Sequence, residues 1–150
     1  MNAVIRRATA EDLATLANLE TSLFSVPWTD AALGSHLAAD YTLSLLLWED
    51  DLPVGYLLAG FTPPEGELYR LAVLPEKRRS GYGRRLLDAF FAEAAERGAD
   101  TLWLDVREHN AAAISLYRSA GFTPVLKREN YYRDPIEAAL VMTAARLKEK

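Results

Sequence analysis

The sequence predicts an α/β fold built on one mixed β-sheet, with helices flanking both faces. Three observations predict it. Strand and helix periods alternate along the 150 residues in the order β-α-α-β-β-β-α-β-α-β-β. A strand–helix–strand crossover implies parallel neighbours, whereas direct hairpins imply antiparallel ones. Half of the residues are hydrophobic and the net charge is only −4, so a chain of one-domain length can bury a sizeable core. The expected organisation is a single domain over residues 1–150.

Each element has a local reason. Val4 to Arg7 reads as a short strand. Thr9 is a candidate N-cap with Asp12 three residues on, and Leu13, Leu16, Ala17, Leu19, Glu20 and Leu23 follow at helical spacing. Pro27 breaks that helix, and Thr29 caps a second one through Leu33 and Leu37. Leu43 to Trp48 and Val54 to Phe61 form a hairpin around Glu49-Asp50-Asp51 and Pro53. Pro63-Pro64-Glu65-Gly66 reads as a turn, and Glu67 to Val73 as the next strand, ended by Pro75. Gly81 to Arg97 is helical, with Gly98 as a stop. Thr101 to Arg107 is a strand, Asn110 caps a short helix ending at Gly121, and Phe122–Asn130 and Ile136–Thr143 are the last strands. The tail Lys148-Glu149-Lys150 is expected to fray.

Composition excludes several classes. With no cysteine there is no disulfide, thiolate metal site or Cys nucleophile. An acidic balance argues against broad binding to nucleic-acid phosphates. The apolar runs, such as Leu45 to Trp48, are too short to span a bilayer, and no apolar segment follows Arg6 and Arg7 as a secretory signal requires. His36 is expected at the surface of its helix and His109 solvated in a turn. The two lie too far apart for a zinc pattern, so no metal is expected. The expectation is a soluble cytoplasmic protein, monomeric or weakly dimeric, without membrane or nucleic-acid partners.

The most informative stretch runs from Leu71-Ala72-Val73 through Arg78-Arg79-Ser80-Gly81-Tyr82-Gly83-Arg84. A strand enters a glycine-bearing turn that opens an amphipathic helix. The N–H groups and positive dipole end of a helix start suit phosphate, and the arginines add forked charge. No Gly-Lys-Ser/Thr follows, and Leu86 stands where a dinucleotide fingerprint needs its third small residue. A solvated basic turn is the competing reading of these residues.

The pattern Arg78-x-x-Gly81-x-Gly83 after Leu71-Ala72-Val73 resembles the acetyl-CoA loop of the GNAT (Gcn5-related) N-acetyltransferases. The resemblance covers essentially the whole chain. It is strongest to the RimI-like members, which acetylate the N-terminal alanine of a ribosomal small-subunit protein. Phe24-Ser25-Val26-Pro27-Trp28, Thr101 to Arg107, Asn110 to Tyr117 and Asn130-Tyr131-Tyr132 carry that part of the match. The resemblance implies acetyl-CoA as cosubstrate and a protein N-terminus as acceptor. It implies that the amides of Arg78 to Arg84 hold the CoA pyrophosphate. Leu71, Ala72 and Val73 would pair with the pantetheine arm, and Asn110 would touch the cofactor.

Amine acetylation needs a neutral amine, a donor for the oxyanion and a proton for the leaving thiolate. A free α-amino group, with a pKa of about 7.7–8.0, needs only a modest base, whereas a lysine at about 10.4 needs more help. The resemblance makes Tyr117 the general acid. Its spacing with Ala113, Ile114 and Ala120 on one helical face by itself favours a core tyrosine with a satisfied hydroxyl.

Asp105 is the base candidate, although RimI-like enzymes usually carry Glu there. Glu67, Glu108 and His109 are alternatives, and an ion pair of Asp105 with Arg107 is the structural reading of the same residue. Tyr131 and Tyr132 would shape the acceptor cleft, unless they point to opposite faces of a strand. Phe24, Pro27 and Trp28 would line its other wall, or else plug two helices together. Arg70, where the family often has Asn, would favour an acidic residue after the acetylated one. The alternatives by function are a GNAT enzyme for lysine or small amines, and a CoA-binding module without catalysis.

Overall fold

The computed structural model describes residues 2–146, so the expected fraying of Lys148 to Lys150 lies outside the described residues. Seven strands form one sheet in the order β1-β2-β3-β4-β5-β7-β6. They are β1 (Ala3–Arg7), β2 (Thr42–Glu49), β3 (Leu52–Thr62), β4 (Glu65–Val73), β5 (Thr101–Arg107), β6 (Thr123–Tyr132) and β7 (Glu137–Ala145). The helices are α1 (Leu13–Leu23), α2 (Asp30–Ala38), α3 (Tyr82–Arg97) and α4 (Ala111–Ser119). Only β4 and β5 pair in parallel; the other neighbours are antiparallel.

The cap signals act as expected. The Thr9 side chain accepts from the backbone while Asp12 reaches back to the Thr9 N–H at 2.8 Å, a capping box around a short 3-10 turn ahead of α1. Thr29 accepts from the Ala32 N–H at 3.1 Å and Asn110 from the Ala113 N–H at 3.2 Å. Gly98 closes α3 in the left-handed region at φ 76°.

Both faces of the sheet are covered, which is why β2 is buried almost throughout. On one face Leu45, Leu47 and Leu57 pack against Leu86, Leu87 and Phe90 of α3 and, farther along, Tyr117 of α4 and Phe122. On the other, Leu46, Tyr56, Leu58 and Ala72 meet Leu16 and Leu19 of α1 and Leu33 of α2. Each fully buried leucine of this kind contributes about 1.5–3 kcal/mol.

Two expectations are corrected. The turn before β4 is Pro63–Pro64 alone: Glu65 and Gly66 already pair with Thr62 and Phe61. Gly66 is a strand glycine because a Cβ there would stand 2.8 Å from the Phe61 ring. His36 is not a surface residue. It is 7% exposed, its Nε2 lies 3.1 Å from the Leu43 carbonyl, and its ring meets Trp28 edge-on at 5.4 Å. Burial holds its pKa below the ordinary histidine value, against the opposing effect of the Leu43 bond.

Candidate active site

The site opens where two parallel strands part. β4 and β5 pair from Glu65 with Thr101 to Leu68 with Leu104, and no further. Beyond those pairs Leu71, Ala72 and Val73 pair with no strand but β3, through Leu57, Tyr56 and Gly55. Their β5-facing edge is therefore free to pair with an extended ligand. The register shift between Leu58 and Ala59 skips Tyr69 and begins the divergence. A cleft of about 710 Å³ fills the gap.

At the far end of β4 the chain turns through Pro75–Lys77 into the loop before α3. Arg79 at φ 65° and Gly81 at φ 79° both adopt left-handed backbone, which lets successive N–H groups converge on an anion. Gly81 is the residue type that takes this conformation without strain. Gly83 has a different reason: a Cβ there would meet Leu116 Cδ2 at 3.1 Å, so this glycine lets α3 approach α4.

Several loop side chains are already committed. Tyr82 turns inward, 9% exposed, and leaves only its backbone to a ligand. Arg78 Nε donates to the Val73 carbonyl at 3.1 Å, and Arg84 pairs with Asp88 at 3.0 Å. Among the described residues, Arg79 and Ser80 make no side-chain hydrogen bond, so Arg79 is the exposed uncommitted cation of the loop.

The opposite wall comes from α4 and β5. Tyr117 lines the cleft at 7% exposure, its ring edge-on to Phe122 at 6.0 Å. Its hydroxyl has no hydrogen-bond partner among the described residues. The picture of a core tyrosine with a satisfied hydroxyl is thus not what this residue adopts. Burial, and then the proximity of Tyr132, push its pKa well above the ordinary tyrosine value. Asn110 lines the cleft at the start of α4 and spends its Oδ1 on the helix cap, keeping its amide N–H groups free.

The alternation of β5 sends Leu102, Leu104 and Val106 to the core and leaves Trp103, Asp105 and Arg107 on the other face. The alternative pairing of Asp105 with Arg107 is not made. Arg107 is held by Glu137 at 3.2 Å and by the carbonyls of Arg133 and Pro135. Asp105 instead accepts from the Tyr131 hydroxyl at 3.1 Å.

Of the alternative bases only Glu67 lines the cleft. Glu108 is paired with Lys127 at 2.8 Å, and the His109 side chain is 80% exposed beside Glu137. The Glu67 carboxyl is pushed up, first by burial and then by the charge of Asp105, with Arg128 opposing.

Tyr131 and Tyr132 do not point to opposite faces. A register irregularity between Arg128 and Tyr132, with Asn130 at φ 53°, turns both rings into the cleft, edge-on at 5.0 Å. A bulge re-aims a side chain in this way, and strict strand alternation does not anticipate it.

The outer wall is Phe24, Pro27 and Trp28 with Arg70. These residues are held by one that sequence reasoning placed in α1 without a role. Glu20 is fully buried. It accepts from the Tyr56 hydroxyl at 2.5 Å and from the Trp28 N–H at 2.7 Å. Arg70 Nε lies 3.2 Å from it, and Nη2 of the same side chain donates to the Val26 carbonyl at 2.9 Å. The guanidinium also stacks on Phe24 at 3.9 Å. An acidic residue on an otherwise leucine-lined helical face was the signal available.

The charge of Arg70 is therefore spent within the protein, which corrects the expectation that it selects an acidic acceptor residue. Replacing Glu20 by Gln leaves three donors facing one carbonyl. A loss of about 1.5–3 kcal/mol is expected from a charge-assisted bond. Urea unfolding should report it, with a larger rise in acceptor KM than in acetyl-CoA KM.

Comparison with known proteins places these features in context. Residues 13–122 match the acetyltransferase (GNAT) family model. The ribosomal protein bS18-alanine N-acetyltransferase of Escherichia coli is 35% identical over 133 residues, spanning 87% of this chain and 89% of that protein. The enzyme of the same name from Haemophilus influenzae is 34% identical over 142 residues, spanning 93% and 96%. The crystal structure of the E. coli enzyme superposes with a TM-score of 0.90 at 31% identity, covering 99% of this chain and 97% of that one.

Proposed function

The chain belongs to the acetyltransferase (GNAT) family, and from that premise we propose that it acetylates the free α-amino group of a protein N-terminus. Acetyl-CoA is the donor, and the acceptor is the N-terminal alanine of a ribosomal small-subunit protein, as the names of its bacterial relatives favour. It acts as one catalytic domain in the cytoplasm. The observation that carries the reading is one cleft that joins three things: the start of an unpaired strand edge at Leu71, the unpartnered Tyr117 hydroxyl, and two carboxylates, Asp105 and Glu67.

The left-handed loop from Arg78 to Gly83, with Arg84, fits a pyrophosphate through backbone N–H groups. The Leu71–Val73 edge fits an amide-bearing arm, as an added strand would. Phe24, Trp28, Arg70, Tyr131 and Tyr132 frame the entry of the acceptor chain, and Asn110 offers its amide from the helix start.

Asp105, fixed by Tyr131, draws a proton from the acceptor amine through a water, and the amine nitrogen bonds to the thioester carbonyl. An N–H near Val73 faces the oxyanion. As the C–S bond breaks, Tyr117 gives its proton to the departing sulfur. With no cysteine in the chain, the acetyl group passes directly from donor to amine.

The test is incubation with acetyl-CoA and short peptides that differ in their first residues, with N-terminally blocked peptides carrying internal lysine as controls. CoA release and mass mapping are read. Modification at free N-termini, strongest with Ala first, is the expected result. Modification of lysine alone overturns the acceptor, and CoA binding without transfer to any amine overturns the activity.

A further inference from the structure

A cluster beneath the phosphate loop takes no part in the roles described above. Glu49 is the last residue of β2, and its side chain is 6% exposed. Lys77 Nζ lies 2.5 Å from its Oε1, and the Tyr82 hydroxyl donates to its Oε2. Lys77 ends the turn before the loop, and Tyr82 is the first residue of α3. Arg78, Arg79, Ser80 and Gly81 are thus strung between two donors tied to one carboxylate at the end of β2.

We infer that Glu49 is a positioning residue for the cofactor: it clamps both feet of the pyrophosphate loop and holds the loop in its anion-binding conformation. The inference rests on the reading that this loop binds CoA.

Two physical arguments support it. The loop carries a non-glycine residue, Arg79, at φ 65°, a conformation that must be held in place by its surroundings. Fixing it before the ligand arrives removes an ordering cost from binding. Secondly, a lone carboxylate under the loop would repel a phosphate, and the close Lys77 ammonium cancels that charge. The same two hydrogen bonds, from Lys77 and then Tyr82, hold the Glu49 carboxyl below the ordinary range. The clamp therefore stays charged at neutral pH. It is separate from the acceptor cleft, which Glu49, Lys77 and Tyr82 do not line.

Calorimetry with CoA, and steady-state kinetics with acetyl-CoA and an acceptor peptide bearing a free N-terminus, test this on the full chain. Glu49→Gln should weaken CoA binding and raise the acetyl-CoA KM about tenfold, the scale of a lost preorganised contact. Turnover at saturating acetyl-CoA should stay within about twofold, with the peptide KM unchanged. Lys77→Met should cost at least as much, because it leaves the Glu49 carboxylate uncompensated beneath the phosphates, and adding it to Glu49→Gln should cost little more than Glu49→Gln alone, because the two act as one unit. Should Glu49→Gln fail to fold, Lys77→Met and Tyr82→Phe carry the same test, each expected to weaken CoA binding.

Unchanged CoA affinity in these variants overturns the inference. So does a loss spread equally over peptide KM and turnover, which marks general destabilisation. Failure of the unsubstituted protein to bind CoA overturns instead the reading of the loop.

Discussion

Replacing Tyr117 by Phe is expected to lower turnover by about 10²–10⁴-fold, the usual worth of a positioned proton donor, with CoA affinity within about twofold. The geometry makes this a clean substitution. The ring packs edge-on to Phe122, and a phenylalanine keeps that contact. The hydroxyl bonds to no described residue, so removing it leaves no buried group unpaired and should not lower the urea midpoint.

The direction of the pKa matters for the mechanism. Burial raises the Tyr117 value above that of an ordinary tyrosine, so the hydroxyl is protonated throughout the neutral range. It meets the departing thiolate with its proton in place and needs no reloading before the next encounter with substrate beyond simple exchange with solvent. A pH–turnover profile should therefore show no loss from Tyr117 ionisation up to pH of about 10, where an unperturbed tyrosine would already be half ionised. Turnover that survives the substitution removes Tyr117 from the chemistry.

What the sequence made legible follows from range. The element order and both helix-covered faces rest on periodicities within a dozen residues, as do the caps at Thr9, Thr29 and Asn110. The phosphate loop is equally local, a strand end, two glycines and a helix start within one stretch. The family resemblance then supplied the roles of Tyr117 and Asp105, which spacing alone left open.

Contacts between distant segments were not legible. Glu20 meets Tyr56 and Arg70 across the sheet, 36 and 50 residues away. No local pattern reveals that the arginine arrives already neutralised. Glu49 likewise looked like part of a polar turn until Lys77 and Tyr82 came to rest on it. His36 became a buried residue because α2 lays it against Leu43 and Trp28. Tyr131 and Tyr132 share a cleft only because the strand is irregular at Asn130. Each of these is a tertiary choice that overrides what its neighbours in sequence suggest.

The two carboxylates in the cleft give the second large expectation, and it separates them. Asp105→Asn should lower kcat/KM by about 10²-fold at pH 7 and much less above the amine's own pKa of about 7.7–8.0, where the acceptor is already neutral. Aspartate reaches one methylene less far than the family's glutamate. Its hydrogen bond from Tyr131 fixes one oxygen and leaves the other to work through a water.

Glu67 provides the contrast. Its carboxyl is raised by burial first and by Asp105 second. Only the ionised form accepts a proton, so any activity that depends on it falls as pH falls through that raised value. Removing the Asp105 charge takes away the second cause and moves the value down toward 4.5. If Glu67 rather than Asp105 took the proton, Asp105→Asn would keep its plateau and merely shift the acid limb to lower pH, while Glu67→Gln would abolish the plateau. The expected pattern is the reverse: Glu67→Gln costs less than about tenfold at pH 7, and Asp105→Asn loses activity at neutral pH and regains most of it above the amine's pKa. The two groups lie on adjoining parallel strands but differ in their surroundings. Asp105 accepts a hydrogen bond from the Tyr131 hydroxyl, whereas Glu67 has no hydrogen-bond donor among the described residues, and burial is the first cause of its raised value.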